Sequence, residues 1–160
     1  MSDHPQPLCA KVLTVSDGVV AGTREDSSGE ALATRLTQAG WTVLDHRVVA
    51  DGTQSVREVL LEMARDFNGL IATTGGTGFG PRDLTPEGTA EAIDREAPGI
   101  AEAMRLVNPL GRLSRGVAGT IGEALVVNGP GSTAGAVETL EAVLDVLPHA
   151  VRLLAGDTAH

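Results

Sequence analysis

The stretch TTGGTGFGPRDLTPEGT, residues 73–89, has the composition of an anion-binding loop. Backbone N–H groups of consecutive small residues can surround phosphate oxygens, and threonine hydroxyls add further donors. The candidate ligand-binding residues of this loop are Thr74, Gly75, Gly76, Thr77 and Gly78. A P-loop needs a lysine after its last glycine, and the dinucleotide fingerprint needs a third glycine where this chain has Pro81. The loop therefore predicts a phosphate site of a different kind, with a tight turn beneath a helix as the alternative.

Carboxylates next to this loop are the second chemical signal. Asp83 lies within the loop, while Asp17 and Asp51 follow the first and second predicted strands. Acids beside a phosphate site would repel the ligand unless a cation bridges them, and Mg²⁺ binds hard oxygen atoms from both partners. This combination favours metal-assisted transfer of a nucleotide phosphate. The alternatives are an N-cap role for Asp51 and a turn-closing role for Asp17.

Other polar residues could contribute to such a site, each with a structural alternative. Arg82 could clamp a phosphate, neutralise Asp83 or remain solvated. Ser114 and Arg115 precede a predicted hairpin and could belong to a surface connection. Ser132 opens the last predicted helix, whose N-terminus would favour an anion, or it caps that helix. The four histidines are scattered without metal-ligand spacing, so we interpret them as surface or core residues.

Four predicted strands end in a glycine together with a polar side chain. Their exits are Ser16-Asp17-Gly18, Asp51-Gly52, the glycine loop with Arg82-Asp83, and Asn128-Gly129-Pro130-Gly131-Ser132. In open parallel sheets, ligands bind outside the carboxyl ends of the strands. If these strands are parallel, their exits share one rim, and we expect them to form one site.

Hydrophobic periodicity predicts the strands and helices that would position these strand exits. Strands are predicted over 10–16, 42–50 and 69–74, and the last of these is apolar on both sides, as in a buried parallel strand. A helix is predicted from Ser27, which has Glu30 at capping-box spacing, to Gly40, and a second helix over 56–67.

The second half of the chain predicts more helix and a hairpin. Thr85 as N-cap and Pro86 at the first helical position start a helix, and 98–104 forms another. Residues 116–131 predict a hairpin that turns at Gly122-Glu123. Residues 137–154 predict one long helix that Pro148 kinks. The alternation of strands and helices predicts an α/β fold with an open sheet between helices.

Composition narrows the class of protein. A chain of 160 residues with 42% hydrophobic content suits one domain, which we place at residues 10–160 after a flexible tail at 1–9. The net charge of −9 argues against a broad basic face for nucleic acid. With one cysteine, no secretory signal and no apolar run approaching about 18 residues, we expect a cytoplasmic protein without a disulfide or a membrane span.

The motifs together closely resemble one family. TTGGTGFGPRDLTPEGT, SDG after the first strand, LSRGVAG and NGPGS are similar, in this order, to the molybdopterin adenylyltransferases, which include bacterial MogA/MoaB-type proteins and the G domain of gephyrin. The likeness extends from about residue 10 to residue 155. It implies a three-layer α/β/α fold, a homotrimer, and Mg²⁺-dependent transfer of AMP from ATP to molybdopterin with release of pyrophosphate. It also implies hand-over of the adenylylated pterin to a partner that inserts molybdate.

The resemblance assigns residues as well. The family's two critical aspartates fall on Asp51 and Asp83, which would be the catalytic residues and the magnesium ligands. The pocket would be lined by Ser16, Asp17, Gly18, Gly75–Gly78, Ser114 and Asn128–Ser132.

Two departures from the family pattern leave alternatives open. Gly129 replaces a common leucine, and Thr133-Ala134 stands where some active members carry a lysine, which is closer to the MoaB-type pattern. A non-catalytic molybdopterin carrier, or a MoaB-type paralogue without a major transferase role, is the alternative function. A nucleotide hydrolase on the same fold is a third reading, which the sequence disfavours because no residue is placed to activate water.

Overall fold

A computed structural model describes residues 6–157 of the chain as a six-stranded sheet between two layers of helices. The strands are β1 (Cys9–Val15), β2 (Thr42–Val49), β3 (Gly69–Thr74), β4 (Arg95–Glu96), β5 (Ala118–Ile121) and β6 (Ala124–Gly129). The spatial order is β2-β1-β3-β6-β5-β4. Strands β2, β1, β3 and β6 are parallel, and β5 is antiparallel to both β6 and β4. The predicted late hairpin is therefore confirmed, as β5 and β6.

The helices are α1 (Asp17–Val20), α2 (Ser27–Gln38), α3 (Thr53–Ala64), α4 (Thr85–Ala92), α5 (Pro98–Leu106), α6 (Thr133–Glu141) and α7 (Leu147–Leu154), with a 3-10 helix at Pro109–Leu113. They cover both faces of the sheet because its central strands are apolar on both faces. Val12 of β1 packs in the core with α2, α5, α6 and α7, whereas its neighbour Leu13 packs with α3 and α4. The expected three-layer α/β/α class is thus confirmed.

Helix starts differ from the sequence prediction at two positions. The N-cap of α2 is Asp26, whose Oδ1 accepts a hydrogen bond of 3.1 Å from Gly29 N, so Ser27 is the first helical residue instead of the cap. The N-cap of α4 is Leu84, and Thr85 lies inside the helix, where its hydroxyl donates to the carbonyl of Gly75. The threonine therefore holds the glycine loop in place of capping its own helix.

The predicted long C-terminal helix is wrong, because it is two helices. Helix α6 ends at Glu141 and α7 begins at Leu147, with turns between them. Pro148 lies in the first turn of α7, where the missing N–H costs no helical hydrogen bond. The proline thus begins a new helix instead of kinking a continuous one.

The single lysine of the chain is held inside the fold. Lys11 on β1 donates from Nζ to the carbonyl of Met63 at 2.8 Å, and its ammonium lies 4.2 Å from the centroid of the Phe67 ring. Cys9, which we placed in the tail, is the first residue of β1, while the remainder of the tail prediction at residues 1–5 lies outside the described residues. No helix within residues 6–157 combines the length and the apolar character needed to cross a bilayer.

Candidate active site

A polar cavity of about 950 Å³ opens at the carboxyl ends of the parallel strands. Sequence-predicted residues that line it are Ser16, Asp51, Thr74, Gly75, Gly76, Thr77, Gly78, Asp83, Ser114, Pro130, Gly131 and Ser132. They come from four strand exits and the loop before β5, which the parallel register brings to one rim. Asp17, Gly18, Arg82 and Asn128 do not line this cavity, and Asn128 lines a neighbouring one.

The glycine loop lies against the end of β1 and needs glycine at two positions. Gly75 has φ of 100°, and a Cβ there would collide with the carbonyl oxygen of Val15. Gly76 has φ of 70°, and a Cβ there would collide with the hydroxyl of Thr85 and lie 3.2 Å from Oδ1 of Asp51. The two glycines therefore allow the loop to pack directly against the end of β1 and the start of α4, which a residue with a side chain could not do.

Arg115 holds the C-terminal part of this loop through hydrogen bonds to its backbone. Its Nε donates to the carbonyl of Gly78 at 2.8 Å, and Nη2 donates to the carbonyl of Asp83. Its Nη1 donates to both carboxylate oxygens of Glu87, at 2.7 and 3.0 Å, and this bond holds the pKa of Glu87 below its ordinary value. The backbone N–H of Arg115 also donates to the carbonyl of Thr77. One side chain thus sets the positions of the loop and of Asp83.

The exits of β1 and β2 are tied together by reciprocal hydrogen bonds. Asp17 N donates to Oδ2 of Asp51 at 2.9 Å, and Asp51 N donates to Oδ1 of Asp17 at 3.1 Å. Arg82 donates to both carboxylate oxygens of Asp17 at 3.0 Å and to the carbonyl of Asp51 at 2.9 Å. The Arg82 guanidinium is therefore engaged with protein oxygens in the structure.

The carboxyl groups of this rim differ in electrostatic state. The hydrogen bonds from Arg82 lower the pKa of Asp17. Partial burial raises the pKa of Asp51, and the nearby charges of Asp17 and Asp83 act in the same direction. A carboxylate destabilised in this way gains most from a cation, because the cation removes both the repulsion and the unsatisfied charge.

The two lining aspartates fit a magnesium ion shared with a phosphate ligand. Asp83 uses Oδ2 to accept a hydrogen bond of 2.8 Å from Gly80 N, and Asp51 uses Oδ2 for Asp17 N. Each keeps Oδ1 without a described hydrogen-bond partner as a potential metal ligand. In the part of the chain that the structure describes, no three His, Cys, Asp or Glu residues cluster in a way that could hold a metal by themselves. Mg²⁺ suits such a set, because it is commonly bound by one or two carboxylates with substrate phosphates and water.

The sequence placed Asn128 among the ligand-binding residues, but its side chain makes its hydrogen bonds within the protein. Its side chain is buried, with Nδ2 donating to the hydroxyls of Thr73 and Thr89 and Oδ1 accepting from Val117 N, all at 3.0–3.1 Å. The amide hydrogens are both used inside the protein, so Asn128 supports β3, α4 and the entry to β5.

The wall formed by the end of β1, by α1 and by the segment that leads into α2, called here the α1–α2 wall, was missed by the sequence analysis. Its residues are Thr14, Val19, Arg24, Glu25, Ser27 and Ser28. Thr14 donates to Oδ1 of Asp26 at 2.7 Å, and His46 Nε2 lies 2.7 Å from Oδ2 of the same carboxylate. The polar run EDSS at the start of α2, close to the first strand exit, was the available signal for this wall.

A smaller and largely apolar cavity of about 250 Å³ adjoins the polar one. It lies between α5, the 3-10 helix and α6, and the two cavities share Leu110, Ser114, Pro130 and Ser132. A ligand with phosphates at one end and a flat ring at the other would match this pair of neighbouring cavities.

Comparison with known proteins defines the class to which this fold and site belong. Residues 11–149 match the family described as "Probable molybdopterin binding domain". The chain belongs to this family.

Individual relatives give a more specific picture. The chain is 35% identical to the molybdopterin adenylyltransferase of Helicobacter pylori strain J99, over 95% of this chain and 90% of the relative. It is 34% identical to the molybdopterin adenylyltransferase of Escherichia coli K12, over 91% and 84% respectively. The crystal structure of the molybdopterin biosynthesis enzyme MoaB from Thermus thermophilus superposes with a TM-score of 0.88 at 46% identity, covering 94% of this chain and 98% of that one.

Proposed function

We propose that this protein works in molybdenum cofactor biosynthesis as a cytoplasmic molybdopterin adenylyltransferase, which transfers AMP from ATP to the terminal phosphate of molybdopterin. The observation that carries this proposal is the meeting of a glycine loop with Asp51 and Asp83 on one polar cavity. The identity of about 35% to proteins named for this activity supports it.

The reaction needs positioning more than it needs a base. An oxygen of the molybdopterin phosphate attacks the α-phosphorus of ATP, the bond from that phosphorus to the bridging oxygen breaks, and pyrophosphate leaves with the electron pair. The nucleophile is already anionic, so no proton has to be removed from it. The backbone N–H groups of Gly75–Gly78 would stabilise the charge that develops on the α-phosphate.

Asp51 and Asp83 would hold the magnesium ion that ATP brings to the cavity. A bound Mg²⁺ would supply positive charge that neutralises the phosphates. Arg115 fixes the backbone next to Asp83, and Asp17 fixes Oδ2 of Asp51. The protein thus supplies a rigid pair of carboxylates at a spacing that its loops determine.

The adjoining apolar cavity would accept one of the two ring systems of the substrates. Its wall includes Ala101 and Met104 of α5, and Arg105 and Glu138 are the charged residues that also line it. A heteroaromatic ring of pterin or adenine size suits an apolar slot with few polar contacts.

We also propose that the protein assembles as a homotrimer and passes its product to a molybdate-inserting partner. Four exposed apolar residues around the end of α5 support assembly: Leu106, Val107, Leu110 and Leu113. Sedimentation of the unsubstituted protein and of a Leu106→Glu variant tests this, because a charged side chain at a buried contact should shift the mass toward the monomer.

The transferase proposal is tested by incubating purified protein with molybdopterin, ATP and Mg²⁺ and detecting the adenylylated pterin by mass. Asp51→Ala and Asp83→Ala should each abolish product and pyrophosphate while the far-UV circular dichroism stays unchanged. Glu102→Ala is the matched control, because Glu102 is an exposed acid on α5 away from the polar cavity.

The remaining outcomes separate the alternative functions. Tight molybdopterin binding without pyrophosphate release would identify a carrier, or a paralogue without the transferase role. Consumption of ATP in the absence of the pterin would identify a hydrolase. Full turnover by either aspartate variant would refute the assigned roles of these carboxylates.

A further inference from the structure

The polar cavity carries an excess of negative charge, although its proposed ligands are anions. Asp51, Asp83 and Glu25 all line it. Arg82 and Arg115 lie close by, but both guanidinium groups already have protein partners. Arg82 binds the Asp17 carboxylate, and Arg115 binds the Glu87 carboxylate and two backbone carbonyls. Neither is free to bind a ligand without breaking bonds that hold the site together.

Arg24 is the exception. Across the described residues 6–157, it is the one arginine or lysine that lines the polar cavity. No hydrogen bond or ion pair engages its guanidinium there, whereas the other arginines near the cavity are engaged. An exposed, unengaged guanidinium on the wall of a cavity that faces a glycine loop is suited to bidentate binding of phosphate oxygens.

The backbone around Arg24 is fixed even though the guanidinium is not. The carbonyl of Gly18 accepts hydrogen bonds from Thr23 N at 2.9 Å and Arg24 N at 3.2 Å, and the Thr23 hydroxyl donates to the same oxygen at 3.1 Å. This turn places Arg24 on the segment that precedes α2, and both Arg24 and the loop Gly75–Gly78 line the polar cavity.

Gly18 also leaves the space through which the Arg24 side chain passes. A Cβ at Gly18 would lie 2.6 Å from Cδ and 2.9 Å from Cγ of Arg24. Any larger residue at position 18 would therefore push the arginine stem aside. Gly18, which the sequence suggested as a pocket residue, leaves room for the Arg24 side chain.

We propose that Arg24 forms a polyphosphate-binding subsite at the α1–α2 wall, where it binds the pyrophosphate part of the nucleotide, and that Gly18 positions it. This inference rests on the proposed transferase function and extends it by a residue outside the matched motifs. It assigns the leaving group to the α1–α2 wall and the attacked α-phosphate to the glycine loop. Because negative charge develops on the leaving pyrophosphate in the transition state, loss of this contact should lower kcat as well as raise KM for ATP.

Titration with inorganic pyrophosphate tests the subsite without relying on turnover. Calorimetry at low salt should show that the unsubstituted protein binds pyrophosphate and that Arg24→Ala binds roughly tenfold more weakly. Arg24→Lys should be intermediate, because a lysine keeps the charge but not the planar fork. Arg65→Ala is the matched control: Arg65 is exposed at the end of α3, away from the residues that line the polar cavity, and its loss should leave affinity unchanged.

Gly18→Ala distinguishes a specific contact of Arg24 from a general effect of charge. It changes no charge, and it should weaken pyrophosphate binding because it displaces the Arg24 stem. In the double variant with Arg24→Ala, the glycine change should have no further effect. Equal affinity of the Arg24→Ala and unsubstituted proteins, equal weakening by Arg65→Ala, additive effects in the double variant, or no pyrophosphate binding by the unsubstituted protein would each overturn the proposal.

The same preparations keep this inference distinct from the proposed function. Transfer of AMP by Arg24→Ala with unchanged kcat and unchanged KM for ATP would refute the subsite and leave the transferase intact. Binding of pyrophosphate through Arg24 by a protein that makes no adenylylated pterin would refute the transferase and retain an anion subsite at this wall.

Discussion

Replacement of Arg115 by alanine should separate stability from catalysis at this site. The side chain donates to the carbonyls of Gly78 and Asp83 and to the Glu87 carboxylate. Hydrogen bonds to charged groups contribute about 1.5–3 kcal/mol when shielded, whereas exposed ion pairs contribute about 0.2–1 kcal/mol. The side chains of Arg115 and Glu87 are 33% and 37% exposed, so the shielded values must be reduced. We expect a total loss of about 2 kcal/mol in the free energy of unfolding, after discounting these contacts for solvent.

For a chain of this size, about 2 kcal/mol corresponds to a decrease in Tm of about 4–8 °C. The rate of AMP transfer should fall much further, by roughly 100-fold, because small displacements of positioned groups cost this much in catalysis. Thermal unfolding followed by circular dichroism and the mass assay for adenylylated pterin measure the two effects. Arg112→Ala is the control from the same segment, since its Nε makes only the local hydrogen bond to Pro109 O.

The pH dependence of the Arg115→Ala effect gives a further check. The pKa of Glu87 is lowered in the folded protein, so the ion pair stabilises the protein above the ordinary glutamate value of 4.5, and this stabilisation is lost as the pH falls through the lower folded-state pKa. The difference in stability between the two proteins should therefore narrow below pH 4.5. An Arg115→Ala protein with unchanged Tm and unchanged transfer rate would refute the reasoning about this anchor.

Three other substitutions test separate parts of the site. Asp51→Asn should reduce transfer roughly 100-fold without lowering Tm at neutral pH, because the raised pKa of Asp51 marks a carboxylate that the fold destabilises; a lower Tm at neutral pH would contradict this. Asn128→Ala should cost about 3 kcal/mol, measured by urea unfolding, because the buried Thr73 and Thr89 hydroxyls and the half-buried Val117 N–H lose their hydrogen bonds. A loss of affinity at unchanged stability would instead make Asn128 a ligand residue. Gly75→Ala should destabilise by about 3 kcal/mol or more, because of its positive φ and the collision with the Val15 carbonyl, whereas Gly99→Ala, with open space around it, should be nearly neutral.

The central architecture could be predicted because its signals are local. β3 has the short sequence GLIATT and is followed by two glycines, and its small and apolar residues indicate a strand buried on both faces. The rule that ligands bind at the carboxyl ends of parallel strands then places Asp51 and Asp83 on one rim. Both steps use only short segments and a general property of sheets, and the structure agrees with both on where these residues lie.

The parts that could not be predicted depend on contacts between distant residues. Thr85 has the chemistry of a helix cap, but a carbonyl ten positions earlier in the chain takes its hydroxyl. Arg115 reaches back 37 residues to Gly78, and Arg82 reaches back 65 residues to Asp17. Sequence periodicity cannot predict these hydrogen-bond partners, because the residues come together only when the chain folds. The apolar spacing of 137–154 likewise cannot show that two helices share one core.

The partial burial of Lys11, the only lysine of the protein, gives an experimental opportunity. Since Lys11 is held by a carbonyl and an aromatic ring, an amine-reactive reagent should modify it slowly while the chain is folded and quickly once β1 separates from α3. The rate of acylation at Lys11, followed by mass spectrometry, would then report the rate at which the central sheet opens.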